Sequence, residues 1–189
     1  MEIKNFLEEV KNREDFRRWL SLNCEKEEQC FVQIKMGKPK QDGNLYYLDA
    51  VEEALCFGWI DSVTKKDAEQ RLLQRFSKRR KNSNWTELNK QRARRLIKLG
   101  KMSEFGFKTL PNLEEEFKIE EGLIKIFEKD EKLMSAIKKL PELYLKIRVD
   151  NILKVKKDER LFKLRLNKFI VNTKKGKLYG AWNDYGRLA

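Results

Sequence analysis

The side chains in this 189-residue chain that have chemistry to offer are three cysteines, two adjacent glutamates, one aspartate behind an apolar run, and a dense block of cations. Cys24, Cys30 and Cys56 lack the two further Cys or His ligands that would complete a structural zinc site. Their odd number fits a reducing compartment, so free thiols are expected. Cys56 would be a nucleophile only if a cationic neighbour favoured its thiolate, and its flanks are Leu55 and Phe57, the setting of an inert core residue. Glu52 and Glu53 diverge by about 100° on a helix, which keeps them from sharing one substrate. They read as the solvated edge of that helix. Asp61 follows the apolar run Leu55-Cys56-Phe57-Gly58-Trp59-Ile60 and could act as a base if burial raised its pKa, or simply cap a turn. The chain has no histidine, which removes every Ser-His-Asp triad, Cys-His dyad, histidine-liganded metal and imidazole relay. Neither a G-x-S-x-G elbow nor a G-x-x-x-x-G-K-[ST] phosphate loop occurs. No cofactor is expected, and the balance leans away from an enzyme.

The cations are concentrated. Residues 65–101 hold 14 Lys and Arg against three acids, a net of +11 in a chain whose total is +13. Within them Arg75-Phe76-Ser77-Lys78-Arg79-Arg80-Lys81-Asn82-Ser83-Asn84-Trp85 interleaves cations, amides and aromatics, the types that grip phosphates and stack on bases. Beyond Thr86, Lys90, Arg94, Lys98 and Lys101 recur at helical spacing and fall on one outer face. The candidate surface for an anionic partner, nucleic acid first and otherwise a membrane surface or an acidic protein, is therefore Arg75, Lys78, Arg79, Arg80, Lys81, Trp85, Lys90, Arg94 and Lys98. Two bland readings compete with it. The loop is a solvated hairpin end with Phe76 and Trp85 buried, or the charge is neutralised internally. The second fits the alternation in sign along the chain: nine acids against four lysines in residues 102–131, then 16 bases against five acids in residues 132–189. A different class of function, a small-molecule-binding protein or enzyme, would use a pocket at Trp59 and Asp61 with the loop cations.

The elements that must position these residues can be read coarsely. Residues 12–22 carry Phe16, Trp19 and Leu20 at i, i+3 and i+4, one stripe of a helix. Residues 30–35 read as a strand ended by Gly37-Lys38-Pro39. Asp49 caps a helix running to Cys56, with Glu52 three residues on as the other half of a near capping box. Gly58 stops it, residues 59–63 extend as a strand, and residues 72–77 return antiparallel after a polar turn at 64–69. Thr86 caps a basic helix with Glu87 in its first turn; Trp85, Leu88, Leu96 and Leu99 form its inward stripe, and Gly100 ends it. Pro111 marks a boundary, Pro141 opens a helix, and Phe162, Leu166, Phe169 and Ile170 form a later apolar stripe. The glycine-punctuated tail from residue 173 reads as a docked or partly mobile loop.

The motifs Glu52-Glu53-Ala54-Leu55-Cys56-Phe57-Gly58-Trp59-Ile60-Asp61-Ser62, Arg75-Phe76-Ser77-Lys78-Arg79 and Asn82-Ser83-Asn84-Trp85-Thr86-Glu87-Leu88-Asn89-Lys90, followed by Leu96-Ile97 and Gly100-Lys101-Met102, resemble in order and spacing the bacteriocin-protection, YdeI/OmpD-associated family. Asp158-Glu159-Arg160 is similar to that family's C-terminal Glu-Thr-Arg, with Glu159 in place of the usual Thr. Arg17-Arg18-Trp19-Leu20 with Phe31-Val32-Gln33-Ile34 is similar to its opening. The resemblance implies an overall likeness of the first half to the YjbR/CyaY-type α/β sandwich, and it brings no active site to carry over. With 40% apolar residues the chain can bury a substantial core. The expectation is an α+β fold, with a small antiparallel sheet and helices in residues 1–110 and an all-helical region in residues 111–189. No apolar run approaches a membrane span and no secretory pattern opens the chain, so a cytoplasmic protein is expected.

Overall fold

Asn12 starts the first helix. Its side chain accepts the Asp15 amide at 3.0 Å while the Asp15 carboxylate accepts the Asn12 amide at 3.3 Å, a reciprocal box that satisfies two donors a helix start otherwise leaves orphaned. This helix, α1 (Arg13–Asn23), buries Phe16 and Leu20, as its spacing predicts. The computed structural model describes residues 3–81 and 83–188, and the chain divides into two compact units. Residues 1–84 and 92–113 make the first; residues 85–91 and 114–189 make the second. The fold is α+β: three strands, all in the first unit, and helices throughout the described residues.

In the first unit, β1 (Gln29–Gln33), β2 (Trp59–Lys66) and β3 (Leu72–Lys78) form an antiparallel sheet in the order β1-β3-β2. The register sets Cys30 opposite Phe76 and Asp61 opposite Phe76 on the other side, so β3 is the central strand. Aromatic side chains seal one face to α1: Phe16 and Phe76 have ring centroids 5.2 Å apart, and Trp19 meets Trp59 edge-on at 5.7 Å. The hairpin is longer than its sequence suggests. β2 continues to Lys66 because a register shift between Asp61 and Thr64 absorbs the break in alternation. The turn itself is built by Asp67, whose carboxylate accepts the amides of Glu69 and Arg71.

The helix α2 (Tyr47–Cys56) corrects the expected boundary. It starts two residues before Asp49, at an N-cap, Tyr46, that makes no side-chain cap bond, and every residue from Leu48 to Cys56 is buried. Asp49 and Glu52 are therefore not its cap, and Glu52 and Glu53 are not its solvated edge. Gly58 ends the turn at φ +73°, and a Cβ there would lie 2.9 Å from the Phe105 carbonyl oxygen, so the position takes glycine on both counts. The helices α3 (Glu87–Lys98) and α4 (Glu104–Phe107) follow. Gly100, at φ +63°, ends α3 as its sequence predicts, but Leu99 is half exposed and Ala93 and Leu96 are the residues that α3 buries completely.

The second unit contains α5 (Glu121–Glu128), α6 (Glu131–Ile137), α7 (Glu142–Leu153) and α8 (Glu159–Lys174), together with the first turn of α3. Leu123, Phe127, Leu133, Tyr144 and Phe169 are central in its core, with Phe162, Leu166 and Ile170 of the predicted α8 stripe packed against them. The tail is docked: Tyr179 and Trp182 both meet Tyr144 edge-on, at 6.1 and 5.6 Å. Thr86 caps α3 as expected, its hydroxyl accepting the Asn89 amide at 3.1 Å, and the Glu87 amide donates to Asp150 at 3.0 Å. Burial raises the Asp150 pKa against the pull of that amide and of Lys154.

Candidate functional site

The candidate surface residues run from Arg75 on β3 to Lys98 on α3, and most of their charge is spent on the protein itself. Arg75 donates through Nε to the Gln29 side chain at 2.8 Å and through Nη1 to Ser62 Oγ at 3.1 Å. Lys78 donates to the Glu25 carbonyl at 2.8 Å and pairs with Glu28 at 2.7 Å. Arg79 is only 8% exposed, where a solvated loop cation was expected. Its Nη1 donates to Ser83 Oγ at 3.1 Å and reaches the Asn84 carbonyl at 3.5 Å. Burial pulls its pKa down to about 10, with Asp61 pulling the other way, so it still carries its charge at neutral pH. Arg80 and Lys81, next along the loop, are exposed.

The outer face expected of α3 is likewise only partly free. Lys90, in the second unit, pairs with Glu87 at 3.0 Å with 14% of its side chain exposed. Arg94, in the first, donates to the Leu113 carbonyl. Lys98 is exposed. The aromatic half of the reading is corrected too: Phe76 is fully buried against Phe16, so no base can stack on it while the sheet is intact. Trp85 is half-buried, and its carbonyl accepts from Lys154 at 2.9 Å. Of the nine candidates, Arg80, Lys81 and Lys98 are the cations that keep an exposed side chain.

The alternative pocket loses its wall. Trp59 is 1% exposed and donates its indole N–H to the Cys24 carbonyl at 3.2 Å, which makes it core. Asp61 is partly buried and accepts the Tyr47 hydroxyl at 2.7 Å, an interaction that fixes the start of β2 to α2.

The cluster that residue types alone missed lies between α1, α2 and α3. Arg13 reaches Asp49 at 2.9 Å, Glu52 at 3.0 Å and Glu53 at 2.6 Å; Arg17 reaches Glu53 at 2.7 Å, and Arg95 reaches Glu52 at 2.8 Å. Three carboxylates thus meet three guanidiniums. Burial lowers the Arg13 pKa, but Glu53, Glu52 and Asp49 outweigh it and the net shift is upward. Glu52 and Glu53, both 1% exposed, accept from guanidiniums of elements about 40 residues away in sequence. Nothing in the spacing of the pair announces that; the one available signal is that Arg13 and Arg17 stand four apart on a helix whose other face is apolar. Nearby, burial and then Glu53 push the Cys56 thiol up to about 11 against Arg17 and Arg13. Burial raises the Cys30 and Cys24 thiols as well. All three are free, buried and protonated at neutral pH, which removes them as nucleophiles in the native state.

The arrangement can do two things chemically: lock α1 and α3 to α2 by internal ion pairs, and present a short cationic loop whose base is anchored. Among the described residues no helix is long and apolar enough to cross a membrane, and no group of three or more Cys, Asp or Glu is placed to hold a metal ion. No curated protein and no solved structure matches the chain. The model of a family described as a domain of unknown function, DUF8412, matches residues 8–109, which span the sheet, the ion-pair cluster and the cationic loop. Because that match covers more than half of its length, the chain belongs to the DUF8412 family.

Proposed function

We propose that this chain is a non-enzymatic cytoplasmic binding protein of the bacteriocin-protection, YdeI/OmpD-associated kind, and that its anionic partner is a nucleic acid gripped through Arg80 and Lys81. The observation that carries the reading is the buried Arg79. Its guanidinium donates to Ser83 and Asn84, so the two exposed cations beside it follow directly on an anchored residue. An anchored loop loses less conformational freedom on binding than a mobile one. Lys and Arg contacts to phosphate carry affinity without sequence information, so the binding proposed is nonspecific. The non-enzymatic half is supported by the engagement of the reactive groups: the thiols are protonated and buried, Asp61 holds Tyr47, and the acidic cluster is neutralised by guanidiniums.

The test is fluorescence anisotropy of labelled single-stranded and duplex oligonucleotides at low salt, with the parent protein and with R80S/K81S. The parent should bind both, and the variant more weakly, with unfolding free energy unchanged to within about 0.5 kcal/mol because both side chains are exposed. No binding by the parent, or equal binding by the variant, would overturn the proposal.

A further inference from the structure

The second unit holds a cleft that the basic loop does not involve. It has a volume of about 270 Å³ and is lined by Arg148, Asn151 and Ile152 of α7, Arg165 and Lys168 of α8, and Tyr179 of the docked tail. Residues 148, 151 and 152 share one face of α7 at i, i+3 and i+4, and residues 165 and 168 share one face of α8, so the cations converge from two helices.

Each is held in place. The Arg148 guanidinium lies 4.8 Å from the Tyr179 ring centre and 5.4 Å from that of Tyr144, and Lys168 Nζ lies 4.9 Å from Tyr179. Gly180 leaves room for Arg148: a Cβ at that position would be 3.0 Å from its Nη2. Arg165 Nη1 donates to the Asn151 carbonyl at 2.5 Å. Arg148 Nε is shielded from solvent and has no hydrogen-bond partner.

No carboxylate lines the cleft. The acids of the same two helices pair elsewhere, Glu142 with Lys146, Asp150 with Lys154, and Glu159 with Lys163. Among the described residues none of Arg148, Arg165 and Lys168 is in a salt bridge. Three cations line one concavity with no carboxylate among them, which leaves a charge that an anion would complete. Guanidiniums match tetrahedral oxyanions by paired donors, and an ammonium adds a point charge. The volume decides the size of the ligand, because it is below the usual range of roughly 300–1,000 Å³ for drug-sized molecules. Both cations near Tyr179 lie within 5 Å of its ring, which leaves little open face for a nucleobase.

We propose that this cleft is a binding site for a small soluble phosphate monoester. The site is separate from the loop at Arg80 and Lys81 and stands or falls without it.

The test is isothermal titration of the full chain with inorganic phosphate and with glycerol phosphate, at ionic strength matched with chloride. Arg148 is packed between two rings, so its replacement removes packing as well as charge; R165Q/K168Q removes two charges from the rim instead. Saturable binding of either phosphate is expected, weakened by at least about tenfold in R165Q/K168Q, since charge-assisted bonds are lost. The R80S/K81S protein should bind phosphate like the parent. No binding by the parent, equal binding by R165Q/K168Q, or an equal response to chloride would overturn the proposal. Binding to phosphatidic acid vesicles with none to glycerol phosphate would overturn it in favour of a lipid surface.

Discussion

Glu53 accepts from Arg13 and Arg17 while 1% of its surface reaches solvent, so its carboxylate oxygens are met by two guanidiniums rather than by water. Removing one side of a buried ion pair strands the other, which costs about 3–5 kcal/mol, more than the pair itself contributes. Here Arg13 would keep Asp49 and Glu52 and Arg17 is 39% exposed, so Glu53→Ala should lower the unfolding free energy by less, about 1–3 kcal/mol, measured by urea denaturation. A loss below about 1 kcal/mol would mean that water reaches Arg13 and the cluster is peripheral. The cysteines make a second residue-scale prediction. With its pKa pushed to about 11, Cys56 is a thiol at pH 8, and burial raises Cys24 and Cys30 in the same direction. The native protein should resist a thiol reagent at that pH and react at three sites once denatured; rapid labelling of the native protein would contradict it. The inert setting of Cys56 was legible from its apolar flanks, whereas the burial of Glu52 and Glu53 was not, because it depends on arginines from α1 and α3 that no local pattern links to them.

At the scale of elements, what could be read in the sequence was what a single residue decides. Gly58 and Gly100 end their helices because both need positive φ, and Thr86 starts α3 because its hydroxyl reaches an amide three residues on. The start of α2 differs from the one its sequence suggests because no cap decides it: Arg13 holds Asp49 and Glu53 from outside, and tertiary ion pairs replace the local signal. The full length of β2 was hidden by the irregularity between Asp61 and Thr64. The short α4 carried no periodic signal, and its importance lies in one glycine. A Cβ on Gly106 would sit 2.2 Å from the Cys56 carbonyl oxygen and 2.4 Å from the Met102 sulfur. Met102 can move, but the backbone carbonyl is also bonded by the Ser103 amide and hydroxyl. Gly106→Ala should destabilise by about 1–3 kcal/mol or more through overpacking. Gly122, with open space around it, is the control, and its alanine variant should unfold close to the parent.

At the scale of the whole molecule, a chain of net charge +13 uses a large part of its cations to hold itself together. Arg75, Lys78, Arg79, Lys90 and Arg94 are bound to protein groups, so the +11 of residues 65–101 overstates what a partner would meet. Counting charges along a sequence cannot separate these from Arg80, Lys81 and Lys98, because the acids that engage Lys78 and Arg95 come from residues 25–52. The charge left on the loop is what we propose to grip nucleic acid phosphates. The most direct measurement is the slope of log binding constant against log salt concentration for one duplex oligonucleotide, in the parent and in R80S/K81S. Each phosphate contact contributes about −0.9 to that slope, so two lost contacts should make the variant's slope shallower by about 2. A steep slope in the parent and that difference in the variant are expected; identical slopes in the two proteins would rule out phosphate contacts by Arg80 and Lys81.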